Sequence, residues 1–332
     1  MAHELHIQNG KASMMYYGDP PWHGLGTRLD KPATSAEAIK AANLDWQVTL
    51  KPLLAFDEAG TAPAKQRLAV VREDLWGQAN CPVFGVVYAG YTPLQNAEAF
   101  AFFDSLVGNK TAIYHTAGAL GQGERVWILA KLPDEIRVVG DDIAEKYLLL
   151  STGHDGRTSV QLRFTPVRVV CNNTLSMALQ RDAGVSVAHT PELFRGLRDA
   201  KVALGLIQRR YGEIERSFQR LAQVPMTGSR LDDYLRLVFP DPRNRDDETQ
   251  LRHVLEHRQA AARHFAEGPG NDAKDVQGTL WAAYNGVTGY IDYGRPRYTG
   301  SRRLRNIWFG QGAKQKVRAH AIAQRLASTW LN

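Results

Sequence analysis

The chain has 332 residues, and 41 Lys and Arg against 34 Asp and Glu give a formal net charge of +7. Hydrophobic residues make up 44% and charged residues 23%, which is typical of a soluble globular protein. No apolar run reaches the roughly 18 residues of a membrane span, and we expect no signal peptide. The two cysteines, Cys81 and Cys171, exclude a disulfide scaffold and a multi-cysteine zinc site. We therefore expect a cytoplasmic protein.

The first half of the chain alternates predicted strands with short helices. Thr34 and Glu37 form a capping box ahead of a helix at 35–42, and residues 94–107 predict an amphipathic helix. Runs rich in Val, Leu and aromatic residues predict strands at 46–56, 67–72, 83–88, 111–116, 125–132, 147–151, 159–164 and 167–171. Gly-His-Asp-Gly at 153–156 predicts a hairpin turn. Asn172 and Asn173 predict the start of a short helix after the last strand.

The second half begins with a long predicted helix at about 191–222, capped by Thr190 and Pro191. Its apolar residues follow the spacing of a coiled-coil seam. The seam consists of Leu193, Leu197, Ala200, Leu204, Ile207, Tyr211, Ile214, Phe218 and Leu221. Two interpretations stay open: the seam packs on later helices of its own chain, or it joins copies of the chain in a homo-oligomer.

Helices are also predicted near 229–239, 249–265, 276–290 and 313–330. The fold class is therefore α+β, with a strand-rich N-terminal half that carries short helices and a mainly helical C-terminal half. We expect a mixed domain at 1–189 and a helical domain at 190–332, packed together as one unit.

The net charge is concentrated at the C-terminus. Residues 293–332 contain nine basic and no acidic residues, which leaves residues 1–292 with a net charge of −2. Cations bind phosphates, and aromatic rings stack on unpaired bases with about 1–3 kcal/mol per base. The candidate nucleic-acid contacts are Arg295, Arg297, Tyr298, Arg302, Arg303, Arg305, Trp308, Lys314, Arg318 and Arg325. The alternatives are a solvated surface and pairing with acidic residues of the body.

Signals for catalysis or metal binding are weaker. His253, Glu256 and His257 fit the H-x-x-E-H pattern of inverted zinc peptidases, but the downstream carboxylate region of such enzymes is not evident. Cys171 ends an apolar run, where a buried structural thiol is the default and a nucleophile the alternative. The sequence has no dinucleotide or P-loop fingerprint, and no cofactor is predicted.

Several segments together resemble a known family. They are PPWHGLG at 20–26, YTPLQNAEAF at 91–100, STGHDG at 151–156, TPVRVVCNNTL at 165–175, WAAYNGVT at 281–288 and WFG at 308–310. In this order they are similar to phage- and plasmid-encoded proteins grouped as a domain of unknown function. The resemblance covers nearly the whole chain and implies residence on a mobile genetic element. The family supplies no activity or catalytic residues to carry over.

The polar residues of these motifs form a second candidate site. They are His23, His154, Asp155, Arg168, Asn172, Asn173 and Asn285. Each also has a structural interpretation: His154 and Asp155 in the hairpin turn, Asn172 and Asn173 as helix caps, and Asn285 bonded to backbone within a helix pair. If several of them meet in space, the site interpretation is favoured.

The order of helix, three strands and helix over residues 35–107 is similar to the core of single-strand annealing recombinases, a likeness of fold only. The sequence thus predicts a nucleic-acid-binding protein, with DNA favoured over RNA, that acts in replication, recombination or protection of a mobile element. Two alternatives stay open. One is an enzyme with a polar His, Asp and Asn site, and the other is an inhibitor of a host defence protein.

Overall fold

The computed structural model describes residues 5–18, 24–107, 113–168, 173–174, 184–208, 211–244, 246–294, 306–307 and 310–331. Within these ranges, the side chains at 107, 165, 167–168, 173–174, 203–208 and 211 lie outside the description. The α+β class is confirmed, because the N-terminal half is rich in strands and the C-terminal half is mostly helical.

A large sheet forms the centre of the strand-rich half. Its strands are β3 (Met14–Tyr17), β4 (Thr27–Leu29), β8 (Ile113–Leu120), β9 (Arg125–Val139), β10 (Asp142–Gly153), β11 (Val160–Arg168), β12 (Asn173–Thr174) and β13 (Gly184–Val187). The order is β12-β11-β10-β9-β8-β3-β4, with β13 also paired to β11. Only β3 and β4 run parallel among the described pairs of this sheet. A short ribbon of β1 (Ile7–Gln8) and β2 (Lys11–Ala12) precedes it.

A second, three-stranded antiparallel sheet contains β5 (Val48–Asp57), β6 (Gly60–Arg72) and β7 (Val83–Tyr88). Helices α1 (Ser35–Ala41) and α2 (Asn96–Val107) flank it in the chain. The capping box of Thr34 and Glu37 is confirmed, since each accepts a hydrogen bond from the backbone of the other. The predicted order of helix, three strands and helix is also confirmed.

The helical half consists of α3 (Leu193–Gln208), α4 (Tyr211–Ala222), α5 (Gly228–Val238), α6 (Glu248–Glu267), α7 (Leu280–Gly289), a π-helical turn (Tyr290–Gly294) and α8 (Gln311–Trp330). The predicted helix at 191–222 is thus observed as α3 and α4, and its junction at 209–210 lies outside the described residues. The seam side chains that are described, from Leu193 to Ala200 and from Ile214 to Leu221, are buried in the chain's own core.

The core joins the two halves. Ile128 and Leu148 on one face of the large sheet share a hydrophobic cluster with Phe218 of α4 and Trp281 of α7. Polar bonds reinforce this contact, because Trp281 Nε1 donates to Asp142 Oδ2 at 2.6 Å. The opposite face of the large sheet carries a smaller cluster, which includes Trp127, Leu129, Tyr147 and Leu149.

The predicted helix start at Asn172 and Asn173 is wrong for Asn173. Its backbone lies in β12 and pairs with Arg168 of β11, so the chain turns back as a strand. The predicted strands at 159–164 and 167–171 are correspondingly one strand as far as Arg168. Local Asn residues favour helix caps and tight turns alike, and pairing with β11 decides between them here.

Candidate nucleic-acid interface

The outer face of the three-stranded sheet exposes aromatic and aliphatic side chains beside cations. Tyr88 is 60% exposed and Trp76, in the loop after β6, is 54% exposed. Val83 and Val86 of β7 are exposed on the same strand. Large apolar side chains grouped on a surface mark a contact site more often than single ones do. We call the group of Lys51, Arg67, Trp76, Val86 and Tyr88 the sheet surface.

Each of the two aromatic rings of the sheet surface carries a cation. The Arg67 guanidinium carbon lies 3.7 Å from the centre of the Tyr88 ring, and Arg67 Nη2 donates to the Tyr88 hydroxyl at 2.7 Å. Lys51 Nζ lies 5.1 Å from the centre of the Trp76 ring. Arg67 and Tyr88 are directly opposite in the β6–β7 ladder, so the strand register creates their contact.

Strand geometry explains why these side chains face outwards. Successive residues of a strand point to opposite faces, and the other face of this sheet places Val48, Val70 and Val87 in the main core. Phe84 joins the same core because a register shift between β6 and β7 interrupts the alternation of β7 at this point. The β5–β6 hairpin continues past that core and exposes Phe56, which is 82% accessible near its tip.

Charge on this sheet is predominantly positive. Lys51, Lys65 and Arg67 are its accessible cations, while Arg72 is buried and bonded to Asp74 in the following loop. The acidic residue of these strands, Asp57, uses its Oδ1 to accept the amides of Ala59 and Gly60 in the hairpin turn. The accessible residues of the strands therefore have a net positive charge, whereas the turns beside them carry the exposed acidic residues Glu58, Glu73 and Asp74.

Helix α8 presents the described part of the basic tail. Lys314, Arg318 and Arg325 are exposed, and Arg318 Nη2 also donates to the Leu237 carbonyl at 3.0 Å. Lys316 differs, because it is fully buried and forms an ion pair with Asp292 at 2.8 Å. One of the tail's nine cations is therefore not accessible to a ligand. The other predicted contacts, Arg295, Arg297, Tyr298, Arg302, Arg303, Arg305 and Trp308, lie outside the described residues.

His154 is a buried structural residue. Asn96 Nδ2 donates to the Leu44 carbonyl at 3.0 Å, so its Oδ1 is free to accept from His154 Nε2 at 3.1 Å. The imidazole contacts the rings of both Trp46 and Phe84, which also contact each other. Burial lowers the pKa of His154 to about 3, so the ring is neutral at physiological pH.

His189 and Tyr91 extend this buried network. His189 Nδ1 donates to the Thr92 carbonyl at 3.0 Å, and Nε2 lies 3.3 Å from the Thr152 hydroxyl. Tyr91 stacks on the His189 ring and donates to the Gly153 carbonyl at 3.1 Å. The motif segments at 91–96 and 151–156 therefore interlock through side chains.

Asp155 holds the β10–β11 turn together. Its Oδ1 accepts the backbone amides of Arg157 and Thr158, and its Oδ2 accepts the Thr158 hydroxyl and the Arg125 guanidinium. Burial raises the pKa of this carboxyl, but these hydrogen bonds outweigh it and leave the pKa below its ordinary value. The predicted hairpin at 153–156 is confirmed, and the structural role of Asp155 explains its place in the motif.

The polar motif residues are not brought together where they are described. Asn285 is buried on α7, where its Nδ2 donates to the Trp281 carbonyl, and it lines a cleft beside His264 and Asn271. The side chains that contact His154 are those of Asn96, Trp46 and Phe84, so Asn285 and His154 have different surroundings. His23 and Asn172 lie outside the described residues, and so do the side chains of Arg168 and Asn173. Cys171 is also outside them.

The two histidines of the H-x-x-E-H pattern have separate partners. His257 Nδ1 lies 2.5 Å from the Tyr290 hydroxyl, whereas His253 is exposed and pairs with Glu256 at 3.4 Å. Within the described part of the chain, no group of three or more His, Cys, Asp or Glu side chains has the arrangement of a metal site.

The sheet surface was not predicted from the sequence. Strand β7 has apolar residues on both of its faces, a pattern typical of a strand covered on both sides. The sequence pattern that could have indicated an exposed surface here is the aromatic residue at 56 beside a turn, together with the cations at 51, 65 and 67.

These observations define an α+β protein with an exposed aromatic and cationic sheet. The chain belongs to the family described as a domain of unknown function, DUF932, whose model matches residues 83–324. No curated protein and no solved structure matches the chain. Among the helices of the described residues, none is long and apolar enough to cross a membrane.

Proposed function

We propose that the protein binds nucleic acid, with single-stranded DNA as its preferred ligand, and that the sheet surface forms part of the binding site. The observation that carries the proposal is the pairing of exposed rings with cations, Tyr88 with Arg67 and Trp76 with Lys51. The basic tail of residues 293–332 supplies further positive charge.

The chemistry of single strands fits this arrangement. Every unpaired base has a π face that stacks on an aromatic ring, and neighbouring cations bind the phosphates between bases. An exposed antiparallel sheet with aromatic residues on its face is a common platform for unpaired bases. Duplex DNA keeps its bases stacked within the helix, so its bases are less accessible for stacking on these rings than those of a single strand.

In the cell, we propose that the protein acts in the cytoplasm during replication, recombination or protection of phage or plasmid DNA. Support comes from the motif resemblance to phage- and plasmid-encoded proteins. Self-association through the 193–221 helix stays a prediction. The described seam residues are buried, and the exposed large apolar side chains among the described residues of α3 are Phe194 and Val202, so we propose that copies meet there.

The test is fluorescence anisotropy of a labelled oligothymidylate with the full chain and its variants. Tyr88→Ala and Trp76→Ala should each weaken binding by about 5- to 150-fold, because each removes one stacking ring worth about 1–3 kcal/mol. Lys51→Ala with Arg67→Ala should reduce the slope of log affinity against log salt by about 1.4. Tyr88→Phe keeps the ring and should retain most of the affinity.

The matched control is Leu255→Ala, which removes an exposed large apolar side chain from α6. It should leave the affinity within about twofold of the wild type. Lys51 is partly exposed and the other substituted side chains are exposed, so circular dichroism should show an unchanged fold. Equal affinities for Tyr88→Ala, Trp76→Ala and the wild type would show that the sheet surface is not the binding site.

A further inference from the structure

A polar cleft of about 280 Å³ lies at the end of the large sheet. Its walls come from the ends of β8, β9 and β10, from the turn after β10, and from the start of α8. It is lined by Leu120, Arg125, Val126, Trp127, Ser151, Thr152, Arg157, Thr158, Ser159, Gln161 and Gly310. The volume is close to the lower end of the range for small-molecule sites, about 300 Å³.

The strand register explains the polar lining. Ser151 of β10 is opposite both Trp127 of β9 and Gln161 of β11, so these three side chains share one face of the sheet. Arg125 is opposite Gly153, two residues further along the same face. The wall therefore joins an apolar ring to hydroxyl, amide and guanidinium groups.

Positive charge converges on this cleft. Arg125 forms an ion pair with Asp155 at 3.1 Å, while Arg157 is exposed and has no ion pair among the described residues. Helix α8 begins at the cleft with Gly310 as its N-cap, and Asn306 Oδ1 accepts the Gly312 amide of its first turn at 2.9 Å. The start of a 20-residue helix carries a partial positive charge.

One buried polar atom in the cleft lacks a protein partner. The Gln161 Oε1 atom is buried and has no hydrogen-bond partner in the described part of the chain. Ser151, whose side chain is opposite Gln161, is a buried residue at 6% exposure and also lines the cleft. Buried polar groups are nearly always hydrogen-bonded, so unpaired ones at a cleft indicate a ligand. The Gln161 amide can turn by 180° to offer its NH₂ group instead.

We propose that this cleft binds a phosphate monoester group. Arg157 contributes a planar fork for two oxygens, Ser151 and Gln161 contribute neutral hydrogen bonds, and the start of α8 contributes its partial positive charge. The apolar wall of Leu120, Val126 and Trp127 receives the organic part of the ligand. The phosphate belongs either to a small metabolite or to the 5′ end of a nucleic acid.

The test is isothermal titration of the full chain with thymidine 5′-monophosphate, inorganic phosphate and thymidine. The two phosphates should bind and thymidine should not. Arg157→Ala should weaken binding about tenfold and Ser151→Ala about fivefold, because each removes a direct contact. Arg236→Ala, which removes an exposed arginine of α5, is the matched control and should have no effect.

A comparison of 5′-phosphorylated and 5′-hydroxyl oligothymidylates separates the two sources. Preference for the phosphorylated end assigns the cleft to nucleic acid, and equal affinities assign it to small phosphorylated molecules. The proposal is overturned if no phosphate binds below about 10 mM, or if both cleft variants bind like the wild type. Tyr88→Ala should leave phosphate binding unchanged, so failure here is distinguishable from failure of the sheet surface.

Discussion

Two buried neutral histidines should make the fold sensitive to mild acid. Burial lowers the pKa of His154 to about 3 and that of His320 to about 4, against 6.5 for an unperturbed histidine. As the pH falls below 6.5, the unfolded chain binds protons that the folded chain does not. The stability that these two residues contribute is therefore fully present above that pH and is lost below it.

The size of the effect follows from the same values. Between pH 7 and pH 5, each histidine should lower the free energy of unfolding by about 1.9 kcal/mol, or about 4 kcal/mol for the pair. Burial also lowers the pKa values of His189 and His264, which act in the same direction. Each carboxyl group adds only about 0.1 kcal/mol to this loss of unfolding free energy, since carboxyl groups titrate mainly below pH 5.

Urea unfolding at pH 7 and pH 5, followed by tryptophan fluorescence, measures this loss. His320→Gln keeps a group that can bond the Ser217 hydroxyl, which lies 3.2 Å from His320 Nε2, but it does not titrate. This variant should reduce the loss between the two pH values by about 2 kcal/mol. A wild-type change below about 1 kcal/mol would refute the reasoning, because the buried rings would then be protonated in the folded chain.

Three further predictions concern the C-terminal half. Lys316→Met leaves the buried Asp292 without its cation and should lower the free energy of unfolding by about 3–5 kcal/mol in chemical denaturation. Lys314→Met, an exposed control on the same helix, should change it by less than about 0.5 kcal/mol, and equal effects would contradict the role of the pair. If the tail binds single strands, log affinity should fall with log salt at a slope of about −4 to −6. Replacing Arg302, Arg303 and Arg305 with Ala should reduce the size of this slope by up to about 2. A slope near zero for the wild type would contradict this prediction. Val202→Glu should lower the mass measured by light scattering if copies meet through α3, and an unchanged oligomer would exclude that surface.

Local signals predicted much of the fold. The capping box at Thr34 depends on residues three apart, and strand β7 was predicted with its observed ends because Val83 to Tyr88 follows a clear apolar run. The turn at 153–156 was similarly predicted from its Gly, His and Asp residues. These features are determined within a few residues of sequence, so neighbours distant in the chain did not change them.

Features that depend on distant partners could not be predicted. Strand β9 continues through Pro133 and Asp134 to Val139, although a proline in the sequence is a local signal for the end of a strand. The backbone is irregular at this point, since Asp134 has a positive φ of 65°. Pairing with β10, which has a register shift at Glu145, carries the strand past this point. The two candidate sites also depend on distant partners. Tertiary packing determines that Tyr88 is exposed, and it places Arg157 and the start of α8 at the same cleft.

The interlocked segments at 91–96 and 151–156 affect how loss-of-function variants of this chain should be interpreted. Asn96 Oδ1 and His154 Nε2 are hydrogen-bonded inside the core, and the Tyr91 hydroxyl donates to the turn backbone. Replacing any of them should first reduce the amount of folded protein, whatever ligand the protein takes. A screen that scores only activity would then mark this region as a binding site. Measuring soluble yield together with activity distinguishes a loss of folded protein from a loss of ligand contacts. The search for ligand contacts is then directed to exposed residues.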